Sequence, residues 1–396
     1  MKSLLKIAMA LVLLTPILKA QDTRLDGFLT SGKLQDGLTA FAKPTSDADR
    51  FSLAVLQSLQ GLQQFADGAG KLGIKQSLAS SGLPFFRVLP RQTSAPTEQA
   101  TPEKIRALFQ NLRDSLTKSN ATLTKVGEGE FKVQVNLTQA HLENKDGTPG
   151  MPLAESLGRI MGMRATDEKD LVVNFDSADA MWLKGYTHIL LGMLDVFMAY
   201  DWRPVWNQSA HALFTSPNPL PPIAHFTITT QGGQFSEWAD LIAAIHELRL
   251  EVTDSDGLKK AVTEFRSAIV CSKICWKRIQ AETDDDQEWL PNPKQTGPRG
   301  SKVTQEEIDG WMTILAEVDS ILTGKKLLPH WRIINGMGIN VAKLVQSPPK
   351  FDLVLLIQGS ALAPYIEGGD VSSLARWRTL ITPFGPGFAN FALWSN

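Results

Sequence analysis

The sequence is poor in cysteine, with two thiols, Cys271 and Cys275, in 396 residues. That excludes a small disulfide-stapled scaffold, so stability has to come from apolar packing. Net charge is also scarce, with 40 Lys+Arg against 41 Asp+Glu. Nucleic acid and anionic membranes attract strongly basic chains, and neither is an expected partner. No long hydrophobic run follows the N-terminus. The most apolar stretch, Met181 to Tyr200, is broken by Lys184, His188 and Asp195, and reads as a buried core helix rather than a membrane span. Complete catalytic signatures are missing as well. His246-Glu247 opens like a zinc-protease motif, but Leu250 stands where the second histidine must lie one helical turn on. Gly359-Ser360 is not framed as the G-x-S-x-G elbow, and no glycine-rich phosphate loop is present.

What is present begins with MKSLLKIAMALVLLTPILKA. Lys2 and Lys6 precede an apolar run from Ile7 to Leu14, then Pro16, then Ala20 before the polar Gln21-Asp22. This is the layout of a secretory signal peptide at residues 1–20, too short to span a bilayer, which takes about 20 apolar residues. Cleavage is expected near Ala20, although Leu18 is larger than the small residue usual there. No cysteine lies nearby to carry a lipid anchor. The expected location is therefore periplasmic or secreted, without stable membrane insertion after cleavage. Three basic residues and no acids fall in the signal, so the remainder carries 37 against 41, a net −4.

Most of the periodic signal is helical. Phe51, Val55, Leu59, Leu62, Phe65, Ala69 and Leu72 recur at three- and four-residue spacing behind a capping Ser46. Thr101-Pro102-Glu103 opens a second helix, with Ile105, Leu108, Leu112 and Leu116 on one face. Further helices are expected after Ser177, Ser236 and Asp254. Thr304 with Glu307 forms a capping box for another, which Gly324 ends. Strand signals are short: FKVQVNL alternates, with LVVNF and HFTITT as possible partners. The expected fold is mainly α, a multi-helix body with a small β-hairpin or sheet. Residues around Ala40, Phe41 and Pro44 suggest a tetratricopeptide-like N-terminal helical hairpin, though no second copy follows. SPNPLPPI, with four prolines in eight residues, marks a linker at 216–223 between an N-terminal region 21–215 and a C-terminal region 224–396, which can equally form one body.

Several constellations could carry chemistry. In AETDDDQEWLPNPKQTG the acids Glu282, Asp284, Asp286 and Glu288 fall at even spacing. An extended chain would point all four one way, toward a hard cation such as calcium. The competing expectation is a short helix capped by Thr283, with the three aspartates in its first turn and Pro291 limiting its length. Asn144 and Asp146 occupy calcium-loop positions, but Leu142 and Leu153 stand where ligand oxygens are needed, so a polar turn is expected. Cys271 and Cys275 are one helical turn apart, either buried or joined as a disulfide. His188 lies on an apolar helix, where a hydrogen-bonded core role is expected. Trp289, His330, Trp331 and Arg332 are candidate contact residues, grouped in or beside exposed-looking loops.

The blocks GYTHILLGMLDVFMAYDW, AETDDDQEWLPNPKQTG, LLPHWR and FANFALWSN together resemble an uncharacterised family of secreted bacterial proteins, over most of the mature chain. The resemblance implies no reaction and no catalytic residue. Its pattern includes a fuller D-x-N-x-D-G run where this chain has Leu142, Asn144, Asp146 and Gly147, and it lacks the cysteine pair. The expected function is binding or scaffolding of a protein or envelope ligand, with contacts around 281–300 and 325–335 and no cofactor. The alternative is a calcium- or other metal-dependent hydrolase using the acids at 282–288 with His330.

Overall fold

The computed structural model describes residues 21–75, 95–144, 148–153, 171–225 and 234–394. Two short helices, α1 (Arg24–Thr30) and α2 (Leu34–Ala40), lead through Pro44 into the long α3 (Asp47–Lys71). Ser46 accepts a hydrogen bond from the Asp49 amide, and Asp47 and Asp49 fill the first turn, where the helix dipole favours negative charge. Helix α4 (Pro102–Leu123) starts as its sequence dictates, with Thr101 accepting from the Lys104 amide and Pro102 in the first turn. Leu108, Leu112 and Leu116 face inward from it.

Helices α3 and α4 approach closely because α3 carries glycine at the crossing. A Cβ on Gly61 would lie 2.6 Å from the Ser115 Cβ, and one on Gly68 would lie 2.4 Å from a Leu108 methyl. The buried Ser58 and Ser119 hydroxyls meet at 2.8 Å in the same interface, and Ser119 donates onward to the Ala54 carbonyl. No buried hydroxyl of this pair is left without a partner.

Strand β1 (Val133–Asn136) is followed by the hairpin β2 (His141–Glu143) and β3 (Pro149–Pro152), then by β4 (Val172–Phe175). β1 and β4 pair antiparallel, with Val133 opposite Phe175 and Val135 opposite Val173. The alternation in FKVQVNL thus buries Val133 and Val135, and LVVNF is its partner. Apart from His225, HFTITT lies outside the described residues.

Next come α5 (Ser177–Met198), α6 (Arg203–Leu213), α7 (Gln234–Glu247), β5 (Arg249–Leu250) and α8 (Ser255–Ala281). α5 packs along α8 and against α4. Arg113 of α4 donates to the buried Asp195 of α5 at 2.6 Å. The proline-rich segment is tied to the start of α4, since the Ala100 amide donates to Ser216 O and the Asn218 amide to Ala100 O.

The remainder comprises α9 (Gln305–Leu322), β6 (Met337–Ile339), α10 (Val341–Gln346), β7 (Phe351–Asp352), α11 (Leu353–Gln358), β8 (Ile366–Gly368), α12 (Leu374–Ile381) and α13 (Phe388–Trp394). Thr304 and Glu307 form the expected capping box of α9, and Gly324 follows its end at φ 72°. β5 pairs with β7 and β6 with β8, both antiparallel. The body is therefore mainly α with small two-stranded sheets. The main core gathers Phe51, Trp276, Trp311 and Phe391, and a second cluster holds Phe65, Phe109, Leu194 and Trp206. Among the described residues no helix is long and apolar enough to cross a membrane.

Candidate functional site

The acidic segment follows the last turn of α8. Glu282 already has extended backbone, at φ −68° and ψ 145°, so the helix stops before the like charges accumulate. No helix forms between 282 and 297, which overturns the expectation of a short helix capped by Thr283. The chain instead runs beside β4. The Asn174 amide donates to Gln287 O at 3.0 Å and its side chain to Asp286 O at 2.9 Å. These backbone pairs outweigh the weak helical preference of three successive aspartates.

The evenly spaced acids split between two environments. Asp284 and Asp286 lie partly exposed around the ammonium of Lys132, at 2.5 and 3.2 Å, with Glu288 4.0 Å away. Extended geometry does aim these three at one cation, and that cation is a lysine. Burial opposes the Lys132 charge, but the hydrogen bonds to Asp284 and Asp286 prevail and raise its pKa. The hydrogen bond from Lys132 lowers the pKa of Asp284 in return.

Glu282 and Glu288 face inward and meet Asp176, with one carboxylate oxygen from each lying within 4.8 Å of the others. Asp176 caps α5 by accepting from the Ala178 and Asp179 amides, and Asp179 completes the capping box by accepting from the Asp176 amide. Burial pushes Glu282 up to about 9, and the nearby Asp176 charge adds to it. Burial also raises Glu288, to about 7, and raises Asp176 and the enclosed Asp179. A hydrogen bond between Glu282 and Asp176 pushes the Glu282 carboxyl further up and opposes the rise of Asp176, which puts Glu282 on the donating side of the pair. These three oxygens are the ones that could hold a cation, and among the described residues no histidine joins them. A cleft of about 460 Å³ opens beside Glu288, between β4 and Thr296.

The rest of the segment anchors the fold. Asn292 is buried and donates to Ile279 O at the end of α8, while its amide donates to the Gln295 side chain at 2.7 Å. Gln295 in turn donates to Asp284 O. Trp289 is 3% exposed and packs on Phe175 and Trp182, so its assignment to a contact surface is corrected: it is core. Lys132, Asp176 and Asp179 were not singled out from the sequence. The D-x-x-D capping box at 176–179 was the available signal for two of them.

The other candidates are placed as follows. Cys271 and Cys275 are free, buried thiols, so the disulfide is not formed. Burial pushes Cys271 up to about 11 and raises Cys275 well above the ordinary thiol value. Asn144 donates to Thr148 Oγ1 and Pro149 O, tying the β2–β3 turn, and Leu142 and Leu153 are buried. Asp146 lies outside the described residues. His188 meets Glu264 of α8 at 2.5 Å, a link between packed helices.

His330, Trp331 and Arg332 do act together. His330 Nε2 lies 3.3 Å from Leu356 O, Trp331 Nε1 donates to Ile357 O at 3.0 Å and Arg332 Nη1 to Gln358 O at 3.4 Å. Three consecutive side chains thus reach the three carbonyls that α11 leaves open at its C-terminus. The Arg332 amide donates to His330 Nδ1 at 3.3 Å. Trp331 nonetheless stays 73% exposed beneath Arg332, 5.4 Å from the ring centre.

That exposed indole belongs to a larger apolar surface. Phe235, Trp238, Ile242 and Ile245 recur at spacings of three, four and three on α7, and all face solvent, with Phe235 84% and Ile242 65% exposed. Asp240, on another side of the helix, lies 3.3 Å from His211 Nε2 of α6. α7 therefore turns Asp240, with the half-buried Leu241 and Ala244, to the body and its apolar stripe outward. Beside it, α11 exposes Val354, Leu355 and Ile357, and the adjoining loop exposes Ile334. No protein-family model, curated protein or solved structure matches this chain.

Proposed function

We propose that this is an exported helical binding protein whose contact surface is the apolar face of α7 together with α11, Trp331 and Ile334. One observation carries the reading: a four-residue stripe on α7 is turned to solvent, next to a second exposed apolar helix. Scattered exposed apolar side chains are ordinary, but a contiguous patch beyond a few hundred Å² marks an interaction site. The signal-like N-terminus supports export to the periplasm or beyond, as does the resemblance to secreted bacterial proteins. The hydrolase alternative would need His330 beside the acids, whereas His330 lies against the last turn of α11. A photo-crosslinking amino acid in place of Trp238 or Trp331, in cells producing the full chain, tests the reading. Discrete adducts at both positions are expected; a chain that stays free at both removes it.

A further inference from the structure

We infer that the occupant of this face is a second copy of the same chain, docked across a two-fold axis. The inference rests on the binding-surface reading and names the partner for it. A two-fold interface brings one patch against itself, so the patch must be free of charge that would oppose its own image. The exposed Arg332 over Trp331 puts a cation on the wider face, so the two-fold axis falls on the α7 stripe, where Phe235, Trp238, Ile242 and Ile245 carry no charge. Asp240 and Glu247 lie seven residues apart on a different flank, with Asp240 turned toward His211 at 3.3 Å. Two copies of α7 crossing near Trp238 and Ile242 would set Phe235 of each against Ile245 of the other.

The area suffices. Phe and Trp side chains bury about 150–250 Å² each, so three strongly exposed aromatics and six exposed aliphatics offer on the order of 1,000 Å². A stable interface takes about 800 Å² per partner. A lipid surface fits less well, because residues 234–248 contain no Lys or Arg, and interfacial helices carry a basic polar face.

The test combines sedimentation velocity with thiol reactivity on the purified mature chain, over about 1–100 µM. Wild type is expected to sediment as a dimer and Trp238→Glu as a monomer with unchanged far-UV circular dichroism. An Ile242→Cys thiol should react with maleimide at least about tenfold more slowly in the dimer than in the Trp238→Glu background, by mass action. Cys271 and Cys275 give little background, being 3% and 0% exposed. A monomeric wild type with a fast-reacting Ile242→Cys overturns the second copy and leaves the surface open to another partner. Binding of that monomer to phosphatidylcholine vesicles would make the occupant a lipid surface. A monomer with a protected Ile242→Cys overturns the binding surface too. A dimer that survives Trp238→Glu places the interface elsewhere and also overturns the inference.

Discussion

Glu282→Gln should make the protein more stable at pH 8 and flatten its response to pH. In the folded chain Glu282 is pushed up to about 9 by burial and by Asp176, while an unfolded glutamate titrates near 4.5. Between those values the folded state binds more protons than the unfolded one. Stability therefore falls as pH rises through this window and levels off above it. Glu288, raised to about 7, adds to the same slope over the lower part of the range. An isolated, fully buried group would lose about 1.4 kcal/mol per pH unit, or close to 5 kcal/mol by pH 8. Glu282 is only partly buried and shares its proton with Asp176, so solvent screening reduces the expected gain to about 1–3 kcal/mol. Glutamine keeps the shape and can still donate to Asp176. Urea unfolding of both proteins at pH 5, 7 and 9 checks this. The curves should nearly coincide at pH 5 and separate toward pH 9, with the variant more stable. A wild type equally stable at pH 5 and 9, or a variant weaker at pH 8, would refute the proton-sharing arrangement. Repeating the scan with calcium distinguishes protons from a metal: proton sharing predicts an unchanged slope, whereas a cation on Asp176, Glu282 and Glu288 would raise stability at high pH.

Glu317 is 2% exposed and accepts from Lys326 at 2.7 Å, Ser372 at 2.6 Å and Arg376 at 2.7 Å. Burial opposes its ionisation, but these donors prevail and hold its carboxyl below the usual range, so its contribution is present above pH 4.5 and lost as pH falls through the lowered value. Glu317→Ala should cost about 3 kcal/mol in urea unfolding at pH 7, near the low end for a broken buried pair because Arg376 can rehydrate. A matching midpoint would show the network to be idle. Gly61→Ala should destabilise by about 1–2 kcal/mol, since its Cβ would meet Ser115 Cβ at 2.6 Å. Helix propensity alone predicts a gain of up to about 1 kcal/mol, so a stabilised variant would disprove the tight α3–α4 crossing.

The helices were legible because their signals are local. Ser46, Thr101 and Thr304 each cap a helix through an amide three residues on. The β1–β4 pair was legible from alternation. The acidic segment was not, because its path depends on Lys132, some 150 residues away, and on a ladder with Asn174. Trp289 looked exposed beside five acids, yet its ring turns inward between Phe175 and Trp182. Periodicity also marks a stripe on α7 without saying which way it faces. An inward stripe would have been core; only the packing of α7 against α6, with Asp240 toward His211, turns it outward.

Replacing Phe235, Trp238 and Ile242 together by serine tests most directly whether the apolar face serves a partner or the fold itself. Thermal and urea unfolding would be followed at a concentration where wild type is monomeric. Side chains built for a partner should leave the isolated chain within about 1 kcal/mol of wild type, as surface substitutions do. A loss of about 4 kcal/mol or more, the scale of emptied core positions, would mean that the chain itself covers this face and that it is no binding surface.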